Sequence, residues 1–149
     1  MDYDRDSLLV VGGFDMSSFR FRKKTEYALM MVTLLAQAGE GKLVSVASMQ
    51  DYGLPRSFLV KIARDLIKAK LVVPKEGRGG GYSLSVPPSM VTLKHVVEAI
   101  EGEVATASCL VHGAKKCPLL EKCPHRSVMV KLTEQLGSVL SQYKLSDLA

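Results

Sequence analysis

LPRSFLVKIARDLIKAKLVVPKEGRGGGYSLS, residues 54–85, switches its hydrophobic period part-way along. In the first half Leu59, Ile62, Ala63, Leu66 and Ile67 make one apolar stripe at helical spacing, while Arg56, Ser57, Lys61, Arg64 and Lys68 fall on the other faces. Pro55 suits the first turn of that helix. From Leu71 the pattern reads as strand, glycine-rich turn, strand: a hairpin with GRGGG at its tip. Three consecutive glycines ask for a backbone that turns tightly or lies close to something.

Upstream, TEYALMMVTLLAQA (25–38) is an apolar-rich helix ending at Gly39, and VSVASMQDYG (44–53) is a short helix closed by Gly53. Helix, helix, short turn, a third helix with a basic outer face, then a hairpin is the order of a winged helix-turn-helix. Downstream, TLKHVVEAIE (92–101) is a fourth helix with Thr92 as N-cap and Leu93, Val96, Val97 and Ile100 inward. Residues 102–124 hold all three cysteines, Pro118 and Pro124, and little periodicity, so they read as a loop. HRSVMVKLTEQLGSVLSQYKL (125–145) is a long helix in which Met129, Leu132, Leu136, Val139 and Tyr143 recur at a/d spacing, a seam that suggests dimerisation.

The expected fold is mainly α with a small β-hairpin wing: a winged helix-turn-helix domain plus a long C-terminal dimerisation helix. The boundaries are an N-terminal tail (1–19), the winged domain (20–87), a linking helix (88–104), a cysteine loop (105–124) and the dimerisation helix with a C-terminal tail (125–149).

With 149 residues, 47% of them hydrophobic, the chain can build one domain with a core and an appended element. It has no run of about eighteen apolar residues, so nothing in it reads as a membrane span. The apolar patch Leu8–Val11 is too short for a signal h-region, follows acidic residues and precedes no small-residue cleavage site, so a cytoplasmic location is expected. Met16 is an alternative start to Met1. The net charge of +5 is compatible with nucleic-acid binding, and its distribution decides. Without tryptophan and with 6% aromatics, the chain does not read as a base-stacking, single-strand binder.

Two sets of residues carry chemistry. Arg56, Ser57, Phe58 and Lys61, near the start of the third helix, are placed to meet base edges or phosphates in the major groove. Lys24, in the basic run RFRKK (20–24), and Arg78, at the hairpin tip, extend that face. Arg78 is the candidate for a narrow A·T minor groove. The second set is C-x7-C-x5-C: Cys109, Cys117 and Cys123. In a reducing compartment clustered cysteines read as metal ligands or redox thiols. Zinc knuckles prefer cysteines two to four residues apart. These wider spacings suit a larger object such as an iron–sulfur cluster. Lys115, Lys116 and Lys122 favour thiolate, and His112, His125 or a residue of another subunit could complete the site. GRGGG lacks the Lys-Ser/Thr of a P-loop and opens a hairpin rather than a helix, so no nucleotide-binding enzyme is read here.

Taken together, TEYALMMVTLLA, LPRSFLVKIARDLIKAKLV, GRGGGYSLS, the three-cysteine loop and the final YKLSDL resemble the bacterial Rrf-type winged-helix regulators, which include the IscR-, NsrR- and RirA-like iron–sulfur regulators. The resemblance covers about residues 20–149. It implies a homodimeric transcription regulator that binds double-stranded DNA and holds a 2Fe–2S or 4Fe–4S cluster on the loop before the dimer helix. By position Cys109, Cys117 and Cys123 match the family's cysteine ligands. Glu26 stands where the nitric-oxide sensors have an acidic ligand lent by the partner subunit, and His125 is the second choice. The first cysteine spacing is longer than the family's usual five residues, so both cluster types stay open. Glu76 and Arg78 also depart from the wing of the cluster regulators. The rival readings are a thiol- or zinc-based winged-helix regulator and a protein-interaction module on the same scaffold.

Overall fold

The computed structural model describes residues 20–112 and 117–149; the tail 1–19, with Met16, and Lys115 and Lys116 lie outside the described residues. Three helices come first: α1 (Lys23–Ala38), α2 (Val46–Gln50) and α3 (Arg56–Lys68). The wing follows as β1 (Val72–Lys75) and β2 (Gly81–Leu84), antiparallel with Val72 opposite Leu84 and Lys75 opposite Gly81. Then come α4 (Leu93–Glu101), α5 (Arg126–Gln142) and the single turn α6 (Leu145–Leu148).

Helices α2 and α4 start where a side chain satisfies free amides. Ser45 caps α2 by accepting from the Ser48 N–H at 3.1 Å. Thr92 caps α4 reciprocally: its hydroxyl accepts from the His95 N–H at 3.3 Å, and its own N–H donates to His95 Nδ1 at 3.1 Å. Pro55 stands just before α3 as its N-cap, one position earlier than a first-turn proline.

The second helix is shorter than its apolar pattern predicts because the wing claims its first residues. The Val44 N–H donates to the Tyr82 carbonyl at 2.9 Å, and the Tyr82 N–H donates back to Val44 at 3.0 Å. Val44 thereby forms a bridge on the far side of β2 from β1. The last long helix also stops early, at Gln142. The Leu93 N–H donates to the Tyr143 carbonyl at 2.9 Å and the Leu145 N–H to the Val91 carbonyl at 2.9 Å, which pulls Tyr143 and Lys144 out of helical geometry.

One core joins these pieces. Met31, Val32 and Leu35 of α1 pack with Met49, Leu59, Ile62 and Leu66 of α2 and α3, with Val72 and Leu84 of the wing, and with Val96 of α4. Leu145 is in that core at 0% exposure. The chain end that reads as a tail is therefore folded against the winged domain, and α5 leaves it and returns to it.

Candidate nucleic-acid interface and cysteine cavity

The stripe expected on α3 is buried as read, with Leu59, Ile62, Ala63 and Leu66 all inside and Ile67 partly so. That fixes the opposite face in solvent: Arg56, Ser57, Val60, Lys61, Arg64 and Lys68 are exposed. Phe58 is not among them. It is half-buried against the core, with its ring edge-on to Tyr27 at 5.2 Å between centroids. A position two residues after Arg56 lies about 200° round the helix, which turns it inward. Val60 takes the outward place instead, 48% exposed. Belonging neither to the apolar stripe nor to the charged set, Val60 carries no distinguishing signal in the sequence pattern.

Lys24 is also committed elsewhere. Its ammonium pairs with Asp65, holding the start of α1 to α3. Arg78 is exposed at the wing tip, between Gly77 and Gly79, both at positive φ (93° and 74°). Tyr52, in the turn between α2 and α3, is 63% exposed.

The three cysteines are free thiols. Cys109, Cys117 and Cys123 line one small cavity of about 20 Å³, together with His125, Arg126 and Met129 and the apolar Ala107, Leu110 and Leu120. His112 is turned away from it. Its N–H donates to Glu103 Oε2 at 2.7 Å and its Nδ1 lies 3.6 Å from Glu103 Oε1. Among the described residues no three His, Cys, Asp or Glu side chains are close enough to share a single metal ion. The donor set itself fits an iron–sulfur cluster, since soft thiolates sit in a largely apolar wall beside an imidazole.

Glu26 lies apart from the thiols, on a cleft of about 580 Å³ shared with Arg20, Glu101, Glu103 and the apolar Val97 and Leu140. Lys23 donates to Glu26 Oε2 at 2.8 Å, and that hydrogen bond holds the Glu26 carboxyl below its usual range, so it stands as an anion.

Two separate groups of polar bonds flank the cysteine loop, one on α5 and one where α4 meets α1. The Thr106 N–H donates to Thr133 Oγ1 of α5 at 3.1 Å, and the Thr106 hydroxyl donates to the Met129 carbonyl at 2.9 Å. At the end of α4, Glu101 accepts from the Thr25 hydroxyl and pairs with Arg22 at 3.4 Å. Thr25 is fully buried at the start of α1, next to the Lys24 that grips α3.

The family model of Rrf2, described as an iron-dependent transcriptional regulator, matches residues 21–149. The chain belongs to the Rrf2 family. Rrf2 proteins are DNA-binding transcription regulators and not enzymes. This Rrf2 chain is 36% identical over 130 residues to Protein aau3 of Rhizobium meliloti (strain 1021), covering 87% of this chain and 84% of that one. It is 27% identical over 128 residues to the HTH-type transcriptional regulator NsrR of Oceanobacillus iheyensis, covering 85% and 87%. Two solved Rrf2-like structures share its fold. CymR, the global cysteine regulator of B. subtilis, superposes with a TM-score of 0.69 at 23% identity, over 89% of this chain and 97% of that one. IscR of T. potens does so with a TM-score of 0.67 at 23% identity, over 88% and 86%. The winged-helix architecture with its long C-terminal helix is thereby shown. No helix among the described residues is long and apolar enough to cross a membrane.

Proposed function

We propose that this Rrf2 protein is a homodimeric regulator whose affinity for a palindromic DNA operator is set by an iron–sulfur cluster, 2Fe–2S or 4Fe–4S, held at the cysteine cavity. The observation that carries this reading is that three free thiols, from positions 109, 117 and 123, line one cavity at the root of α5. Bound there, the cluster would supply iron reactive to oxidants, nitric oxide or iron shortage. Cys109, Cys117 and Cys123 provide three donors. Glu26 of the partner subunit is the leading fourth donor, because it stands where the nitric-oxide sensors of the family have an acidic ligand and lines a cleft apart from its own chain's thiols. His125, already on the cavity wall, is the second choice.

The DNA side rests on Arg56, Ser57, Lys61, Arg64 and Arg78, all exposed on one helix face and the wing tip. Ordering or releasing the 105–124 loop would act on α5 through Thr106 and on α1 through Glu101 and Thr25. A coupling of about 1–3 kcal/mol along that route changes operator occupancy roughly 5- to 150-fold.

The test is anaerobic purification with iron and sulfide quantitation, a visible spectrum, and DNA binding by the wild type and Cys117→Ser. Iron with matching sulfide, and a Cys117→Ser protein that no longer responds to iron or nitric oxide, are expected. No iron–sulfur absorbance, together with a Cys117→Ser response equal to wild type, would sink the reading. A second reading, a thiol- or zinc-based Rrf2 regulator using the same cysteines, is supported on its thiol side by the three free thiols around a cavity with room for about one water-sized occupant. Zinc at one per chain without iron selects it.

A further inference from the structure

We infer that Val60 is a specificity-determining residue that reads the C5-methyl of a thymine in the major groove; the inference rests on the DNA-binding reading of α3. A lone exposed valine on a protein surface needs no explanation. What singles this one out is its surroundings. It is 48% exposed at the middle of a helix face otherwise made of Arg56, Ser57, Lys61 and Arg64. Those cations sit one turn to either side and beside it, so the charges that draw the helix onto phosphates bring Val60 toward the floor of the groove.

The chemistry narrows the partner. Valine has no donor or acceptor, so it cannot choose among the hydrogen-bonding edges that arginine, asparagine or glutamate distinguish. In the major groove the apolar feature that marks one base is the thymine C5-methyl. β-Branching leaves Val60 one strongly preferred rotamer on a helix, so its two methyls are held in place before DNA arrives. Phe58, which could have supplied a larger apolar surface, is turned into the core beside Tyr27.

The experiment selects duplexes from a random pool with the full-length protein. The recovered sequence is then remade with deoxyuridine replacing thymidine at one position at a time, which removes the methyl and keeps the pairing and charge. For wild type, affinity should fall about fourfold per methyl lost at one position of each half-site, the value of one buried methyl group. Val60→Ala should bind the thymidine and deoxyuridine duplexes equally, with the salt dependence of wild type. Equal wild-type affinity for all substituted duplexes overturns the inference and leaves DNA binding standing. So does a Val60→Ala protein that still discriminates, which would place the effect in DNA shape. If selection recovers no duplex at all, the DNA reading of this face fails and the inference with it.

Discussion

A Cβ added at Gly81 would meet the Val44 carbonyl oxygen at 2.2 Å, and one added at Gly80 would meet the Lys75 carbonyl oxygen at 2.2 Å. The glycine run in the wing is therefore explained by the protein's own backbone: Gly80 closes the hairpin tip, and Gly81 lets β2 lie against residue 44. Backbone atoms cannot swing aside as a side chain can. Gly81→Ala should cost about 1–3 kcal/mol in urea unfolding, the usual range for overpacking. Sequence alone left two accounts of the run, a tight turn and a close approach, and the structure shows that both apply. Phe58 and Val60 make the complementary case. Which of two neighbouring apolar residues faces out depends on the helix's rotation against the core, and Leu59, Ile62 and Leu66 at under 2% exposure fix that rotation.

Helix α5 combines two faces that a heptad count merges into one. Met129 lines the cysteine cavity and Leu136 the cleft beside Glu26, so two of the five expected seam residues are used within the chain. Leu132 (45% exposed) and Val139 (48%) remain open to solvent, with Val128 a further turn away (58%). Tyr143 is exposed just beyond the helix end. An exposed apolar row on a helix whose other side packs against α4 suits a second copy of the chain. Leu132→Glu should halve the mass measured by light scattering while leaving the far-ultraviolet circular dichroism unchanged. A mass equal to wild type would count against dimerisation through this row.

Across the whole molecule, the basic face of α3 and the cysteine cavity lie on different elements, with several polar contacts placed between them. Thr106 ties the loop to α5, Glu101 ties the end of α4 to Thr25 and Arg22, and Lys24 ties α1 to Asp65 of α3. Glu101→Ala removes the middle joint and leaves the buried Thr25 hydroxyl without its acceptor. The gap in DNA affinity between cluster-loaded and cluster-free protein should narrow by about 0.5–2 kcal/mol, the range for residues along a coupling route. Fluorescence anisotropy on a selected duplex, with both forms of both proteins, measures it. An unchanged gap would show that the signal travels through the dimer contacts instead.

Order along the chain was legible in the amino acids themselves. The α3 stripe, the glycine-tipped hairpin, the Thr92 cap and the grouping of three cysteines in one loop are local patterns, set by periodicity, capping and spacing over a few residues. Tertiary structure decided what those patterns meet. Leu145 enters the core because residues 143–145 bridge back to 91–93, an association across some fifty residues that no local pattern encodes. Lys24 was drawn to Asp65, His112 to Glu103 and Phe58 to Tyr27 for the same reason. A charge or a ring has several uses in a sequence, and only packing brings the partner that selects one.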